Sequence, residues 1–305
     1  MGIKSPFICE IAPDTYAINE FGLAAMYLLI GEKEALLIDT GCGVCDLKQV
    51  VAGLTDKPCK VAVTHGHMDH VGGMGSFQEV YLNEKDYDLA RALNYEELRS
   101  YADAFGKAGS YQVYEYSADD VPEQIQMPRF LPLRDKARFD LGGRVVEVHE
   151  IAGHTQGGCV FLDVARRLMF SGDCCNVNLL APDCSVEKTL VEVRKFRALS
   201  ERFDQNFNGH VGYVGMPTCM SQPKSVPDDL IHICETILSG EGIPQPYEFL
   251  GHHFMEMSYG NARLSYNPEL LIENDGEAQP KGDKADVDKE CGNAGSGNSE
   301  TDGKP

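Results

Sequence analysis

The fold of this chain is decided by a ten-residue stretch, Thr64-His65-Gly66-His67-Met68-Asp69-His70-Val71-Gly72-Gly73. It follows a short β-branched run that predicts a buried strand of a mixed or parallel sheet. Three histidines and a carboxylate within six residues supply neutral nitrogen and ionised oxygen donors, which suit zinc or another divalent transition metal. His65 and His67 alternate and face the same way in an extended chain, whereas Asp69 and His70 are adjacent and address a different point. The spacing therefore predicts two metal positions rather than one.

Bulk composition is that of an ordinary globular protein. The 305 residues are 43% hydrophobic and 24% charged, enough for one large domain or two small ones. With 27 basic and 47 acidic residues the net charge is −20, so nucleic acid is not an expected partner. No signal peptide is recognisable and the longest apolar run, residues 23–30, is too short for a bilayer, so no membrane association is expected. Eleven cysteines without an export signal predict free thiols and a cytoplasmic location.

The segments that precede the histidine stretch predict an antiparallel meander. Apolar runs at residues 14–19, 24–30 and 35–39 are separated by polar or glycine-containing turns. Residues 46–54 predict an amphipathic helix that leads into the strand before the histidines. Asp39, at the end of the third run, is either an acceptor for the N–H of a metal-binding histidine or a plain turn residue.

Two later segments differ in character from this core. Residues 83–140 predict an insertion that is helical to about Phe105 and irregular over 106–140, where it either covers the active site or packs away from it. Residues 273–305 lack aromatic side chains and predict a disordered acidic tail, because such a segment buries too little surface to offset its ordering entropy. The predicted organisation is one domain over residues 1–272, followed by the tail.

A second set of polar residues follows glycines at the ends of later predicted strands. The pairs are Gly153-His154, Gly172-Asp173 and Gly209-His210. A single Gly-His pair is more typical of a turn than of a metal ligand. Together with the first stretch, however, these pairs form an ordered series of strand-end His and Asp residues that contains five of the nine histidines.

This ordered series resembles the metallo-β-lactamase superfamily, and within it the hydroxyacylglutathione hydrolase (glyoxalase II) and lactonase-like dinuclear branch. The resemblance runs from about Asp14 to about His210. It implies an α/β fold, a four-layer αββα sandwich in which two sheets pack face to face between helices. The loops at the strand ends would carry the metals along one edge of the sandwich.

The resemblance also implies a set of metal-binding residues. One zinc would be bound by His65, His67 and His154, the second by Asp69, His70 and His210, with Asp173 bridging the two. Two cations that share a water lower its pKa and deliver hydroxide to a carbonyl carbon. Asp69 would also orient this nucleophile and so act as a catalytic residue.

These implications favour a zinc hydrolase that acts on a small-molecule ester, thioester or lactone. A thioester is slightly preferred because of the likeness to glyoxalase II. The alternative is an iron oxidoreductase, either mononuclear and similar to persulfide dioxygenases or dinuclear and oxygen-reducing. His67 favours zinc, since the diiron relatives often have glutamate at that place. The expected cofactor is therefore two Zn²⁺ per chain, with iron as the alternative.

Overall fold

Short strands make up most of the chain, which a computed structural model describes over residues 2–210 and 220–273. The strands are β1 (Phe7–Ala12), β2 (Thr15–Glu20), β3 (Ala24–Ile30), β4 (Ala35–Ile38), β5 (Cys59–Ala62), β6 (Glu79–Leu82), β7 (Arg129–Pro132), β8 (Arg138–Asp140), β9 (Val145–Glu150), β10 (Cys159–Asp163), β11 (Leu168–Gly172), β12 (Asn178–Ala181), β13 (Gln205–Asn208), β14 (Gln245–Phe249), β15 (His252–Tyr259) and β16 (Ala262–Tyr266). The helices are α1 (Leu47–Leu54), α2 (Met68–Val71), α3 (Tyr87–Arg91), α4 (Tyr95–Phe105), α5 (Tyr111–Val113), α6 (Val186–Arg197) and α7 (Val226–Ser239). Nowhere in the two described ranges is a helix long and apolar enough to cross a membrane. The predicted tail lies outside these ranges from residue 274 onward.

The strands form three sheets. The first sheet has the order β1-β2-β3-β4-β5-β6-β7, the second β13-β11-β10-β9-β8, and the third β12-β16-β15-β14. The first sheet is antiparallel from β1 to β4 and parallel from β4 to β7. In the second sheet β11 and β13 are parallel. Parallel strands end at the same edge of a sheet. The residues after β4 therefore lie close to those after β5, and the residues after β11 lie close to those after β13.

The first two sheets pack face to face around an apolar core. Tyr27 and Leu36 of the first sheet share this core with Val148, Phe161 and Phe170 of the second. The rings of Tyr27 and Phe170 lie 4.8 Å apart between centroids. Each large apolar side chain that is fully buried in this way contributes about 1.5–3 kcal/mol, so the inter-sheet core holds the two sheets in a fixed relation.

Helices cover both outer faces of this pair of sheets. α1 packs on the outer face of the first sheet through Leu47 and Val51. α6 and α7 pack on the outer face of the second sheet, together with residues of the third sheet. The predicted four-layer αββα sandwich is therefore confirmed, and the third sheet is an addition to it.

Local sequence signals explain where the predicted helices begin and end. The side chain of Asp46 accepts a hydrogen bond from Gln49 N at the start of α1, and Ser185 does the same for Lys188 N at the start of α6. Both are the N-cap arrangement that such side chains favour. α7 has Pro227 in its first turn and ends at Gly240, whose φ of +75° is the left-handed C-cap conformation.

The segment predicted as an insertion is only partly outside the sheets. Its helical part is broken between Arg91 and Tyr95, where the side chain of Asn94 caps α4 by accepting from Glu96 N and Glu97 N. The prediction that the chain is irregular up to residue 140 is wrong for its last part, because β7 and β8 are strands of the first and second sheets. Each has four residues or fewer, which is too short for an alternating apolar pattern to be recognised.

Candidate metal centre

The predicted site residues follow the carboxyl ends of neighbouring strands. His65 comes three residues after β5, and the short helix α2 then carries Asp69 and His70. Asp173 directly follows β11, and His210 lies two residues after β13. Since β5 belongs to the first sheet and β11 and β13 to the second, the facing sheets bring both halves of the site together at one edge of the sandwich.

Three histidines form the first group of donor atoms. His67 Nδ1 lies 3.1 Å from His65 Nε2 and 2.8 Å from His154 Nε2. A tetrahedral zinc with bonds of ~2.0–2.1 Å would hold two ligand nitrogens about 3.3 Å apart. The spacing of the three nitrogens is therefore close to what one metal ion requires.

Asp69, His70 and His210 form the second group. Asp69 Oδ2 lies 3.4 Å from His210 Nε2 and 3.8 Å from His70 Nε2. His70 is fully buried and its Nε2 has no hydrogen-bond partner within the described part of the chain. A buried nitrogen without a partner is costly, and a cation at this position would satisfy it.

Asp173 lies between the two groups. Its Oδ2 is 3.8 Å from His154 Nε2 in the first group, and 3.8 Å and 2.9 Å from the Nε2 atoms of His70 and His210 in the second. Its Oδ1 accepts a hydrogen bond from Asn176 Nδ2 at 3.3 Å. One carboxylate oxygen thus faces both groups while the other is held by the protein.

The remaining ring nitrogens are oriented by hydrogen bonds. His70 Nδ1 donates to Asp39 Oδ2 at 2.9 Å. His65 Nδ1 donates to Thr64 Oγ1 at 3.0 Å, and that hydroxyl donates in turn to Asp39. The Nδ1 atoms of His154 and His210 donate to backbone carbonyls, those of Leu180 and Leu23 respectively. These bonds assign the proton of these four rings to Nδ1 and direct their Nε2 atoms toward the donor groups.

Electrostatics divide the histidines into two kinds. Burial lowers the pKa of His65 well below its ordinary value and that of His67 to about 3, so both rings are neutral, as metal binding requires. Burial also opposes protonation of His70 and His210, but the neighbouring carboxylates outweigh it and raise their pKa values. Since imidazole nitrogens and carboxylate oxygens from separate loops converge here, the residues present fit divalent metal ions.

All seven predicted residues therefore meet at one place. They are His65, His67, Asp69, His70, His154, Asp173 and His210. The hydrogen bond predicted for Asp39 is present. Two contributors were missed: Thr64 was not given a role, and Asn176 carries no sequence signal that separates it from a turn asparagine.

The helical part of the insertion contacts this site from one side. Met68, between His67 and Asp69, packs against an apolar cluster that includes Leu98 and Tyr101 of α4. Tyr101 Oη donates to the carbonyl of Leu23 at 2.8 Å, and this carbonyl also accepts from His210. The insertion thus supports the second group of donors, and its covering of the active site stays a prediction.

Comparison with known proteins agrees with this geometry. The profile of the metallo-beta-lactamase superfamily matches residues 20–174, about half of the chain. The chain belongs to this superfamily. The predicted superfamily is thereby confirmed, whereas its glyoxalase II branch stays a prediction.

Curated relatives of the superfamily match at low identity. The chain is 28% identical over 163 residues to the human acyl-coenzyme A thioesterase MBLAC2, a match that covers 49% of this chain and 57% of the human protein. It is 28% identical over 200 residues to the Drosophila melanogaster beta-lactamase-like protein 2 homolog, with 63% of this chain and 59% of that protein covered. The chain thus spans less than two thirds of the length of these relatives.

Solved structures support the fold alone. An inverting sec-alkylsulfatase from Pseudomonas sp. has a TM-score of 0.58 at 14% identity, with 77% of this chain and 42% of that chain covered. A metallo-beta-lactamase family protein from Thermus thermophilus has a TM-score of 0.53 at 20% identity, with 77% and 85% covered.

Proposed function

We propose that this chain is a dinuclear zinc hydrolase that cleaves a small-molecule thioester. The observation that carries the proposal is the position of Asp173 Oδ2 within 3.8 Å of donor nitrogens from both groups. A carboxylate in this position offsets the mutual repulsion of two cations. His65, His67 and His154 would hold one Zn²⁺, and Asp69, His70 and His210 the other.

Zinc ions bound to these residues would supply Lewis acidity and a nucleophile from water at neutral pH. The residues of the chain contribute orientation. The side chains of His65 and His70 are shut off from solvent, whereas those of Asp69 and Asp173 are 11% and 14% exposed. The two carboxylates therefore keep some contact with solvent. Asp69 is the proposed catalytic residue, because its carboxylate can orient the attacking water and accept its proton.

A thioester is the proposed substrate class for two reasons. The human relative is named as an acyl-coenzyme A thioesterase. A thiolate is also a better leaving group than an alkoxide, because a thiol has a pKa of about 8.5. The leaving group then needs no protonation by a general acid, and the histidines in the site remain available as metal ligands.

The first experiment measures metal content and hydrolysis on the same sample. We expect two zinc ions per chain, and turnover of an acyl-coenzyme A or acyl-glutathione thioester in a panel that also contains a lactone and a phosphodiester. One iron per chain, with oxygen consumed in the presence of a persulfide, would support the alternative oxidoreductase and contradict the proposal.

Substitutions test the assignment of residues. His65→Ala and Asp173→Ala should lose metal and activity while the far-ultraviolet circular dichroism spectrum is largely retained. His253→Ala is the matched control, because His253 is an exposed histidine on β15 and lies in none of the donor groups found among the described residues. Full activity of a metal-free Asp173→Ala protein would refute the proposed mechanism.

A further inference from the structure

A buried carboxylate outside the donor groups joins two of the loops that carry them. Asp86 follows β6 and is only 2% exposed. Its Oδ2 accepts hydrogen bonds from Gly66 N at 3.0 Å and from Thr155 Oγ1 at 2.7 Å. Its Oδ1 accepts from Gly157 N at 2.7 Å. Three donors from two separate loops thus converge on one side chain.

The positions of these donors relate Asp86 to the three-histidine group. Gly66 lies between His65 and His67, and Thr155 directly follows His154. The carboxylate therefore fixes the backbone next to every histidine of the first group. The loops of Asp173 and His210 are held by other side chains: Asn176 and Asn208 bond to each other at 2.8 Å, Asn176 donates to Asp173 Oδ1, and Asn208 Oδ1 accepts from His210 N.

The packing around Asp86 leaves no space for a side chain at Gly66 or Gly157. A Cβ atom on Gly157 would lie 2.7 Å from Asp86 Cγ, and one on Gly66 would lie 2.9 Å from the Asp86 carbonyl oxygen. Both distances are shorter than real carbon contacts allow, so glycine is required at both places. The two loops approach Asp86 closely because they lack side chains there.

We infer that Asp86 is a positioning residue for the metal position of His65, His67 and His154. It holds the two histidine-bearing loops at a fixed separation in the metal-free protein. The loops therefore lose less conformational entropy when metal binds. This inference rests on the metal-binding part of the proposed function and is independent of the substrate.

Asp86→Asn is the substitution that tests the inference with the least change of shape. The amide has one acceptor oxygen, so its NH₂ group must face the N–H of Gly157 or that of Gly66. In the first orientation the hydrogen bond of Gly157 N is lost, and in the second that of Gly66 N is lost. Substitution of residues that orient metal ligands typically weakens metal affinity by about 10–100-fold.

The measurement is the zinc dissociation constant, obtained by competition with a chromophoric chelator in two backgrounds. In His210→Ala, which keeps the first group intact, Asp86→Asn should weaken zinc binding by about 10–100-fold. In His67→Ala, which keeps the second group, Asp86→Asn should change the zinc dissociation constant by less than about threefold, because Asp86 makes none of its hydrogen bonds to Asp69, His70 or His210. An equal loss in both backgrounds, or no loss in the first, would overturn the inference.

Two further variants separate positioning from general folding. Thr155→Val removes one of the three donors at nearly constant volume and should weaken zinc binding in the His210→Ala background by about fivefold. Asp229→Asn is the matched control, since Asp229 is also a buried carboxylate that ties two segments, through Ser225 Oγ and Asn261 N. It should leave zinc affinity unchanged. If the unsubstituted chain bound no zinc, the metal centre itself would be refuted together with the role of Asp86, whereas zinc binding without thioester hydrolysis would refute only the proposed substrate.

Discussion

The carboxylate of Asp39 offers the clearest single test of how the proposed second metal position is oriented. It accepts hydrogen bonds from Thr64 N at 2.6 Å, from Thr64 Oγ1 at 2.9 Å and from His70 Nδ1 at 2.9 Å. Its φ of +65° lies in the left-handed region, which Asn adopts as readily as Asp. Asp39→Asn therefore changes the hydrogen bonding without straining the backbone.

The expected magnitude comes from the loss of one acceptor oxygen. If the amide NH₂ faces His70, it donates to Nδ1 and the ring proton moves to Nε2, the atom directed at the metal position. A hydrogen bond to a charged group is worth about 1.5–3 kcal/mol, and each 1.4 kcal/mol corresponds to about a tenfold change. We therefore expect zinc affinity at the position of Asp69, His70 and His210 to fall by about 10–100-fold, which agrees with the usual cost of such substitutions.

The assay is zinc occupancy after dialysis against a series of zinc buffers, with thermal unfolding as a check of the fold. One zinc should dissociate at higher free-zinc concentrations from Asp39→Asn than from the unsubstituted protein. Asp140→Asn is the control, because Asp140 is also a strand-end aspartate but is exposed and accepts a hydrogen bond from Gly142 N in a local turn. Two zinc ions retained with unchanged affinity in Asp39→Asn would refute the assigned role of Asp39.

Three other predictions concern stability. Asp163→Ala removes the carboxylate that lies 2.7 Å from the buried guanidinium of Arg144. It should lower the free energy of unfolding, measured with denaturant, by about 3–5 kcal/mol. Asp204→Ala, which breaks an exposed ion pair, is the control and should change the denaturation midpoint little. The hydrogen bond from Arg202 holds the pKa of Glu147 below its ordinary value of 4.5, so the ionised carboxylate stabilises the fold above pH 4.5 and this stabilisation is lost at lower pH. The loss of unfolding free energy caused by Glu147→Gln should therefore be smaller at pH 3 than at pH 7, and an equal loss at both pH values would contradict this. Removal of metal by a chelator should lower the thermal midpoint, since a ligand at 100 times its Kd stabilises the native state by about 2.7 kcal/mol; an unchanged midpoint would argue against a native metal site.

The sequence was most informative where a pattern repeats or where side-chain chemistry is unusual. The three histidines and the aspartate of the first stretch are distinctive because few other roles require those side chains at that spacing. The meander and α1 were predicted from apolar periodicity, and the structure places them within a residue or two of the expected bounds. β7 and β14 were missed because both strands are short and each contains a proline, which weakens a strand pattern.

The supports of the site were harder to predict than its ligand positions. Asp86 is indistinguishable in the sequence from an acidic residue in the first turn of a helix, and its partners Gly66 and Gly157 are 20 and 71 residues away. The acceptors of His154 and His210 are backbone carbonyls. Because every residue has a carbonyl group, the sequence contains no signal that marks Leu180 or Leu23 for this role.

The pairing of β12 with β16 has a consequence for the order in which the protein is completed during synthesis. Leu180, whose carbonyl accepts from His154, lies on β12, an edge strand whose neighbour in the third sheet is β16. Leu180 pairs there with Ser265. A nascent chain emerges with its amino terminus first, so all the histidines of the first group have left the ribosome well before the strand that fixes this carbonyl. A chain that stops before residue 262 therefore contains every side chain of the site and still lacks the strand that pairs with Leu180, so we expect it to orient His154 less firmly.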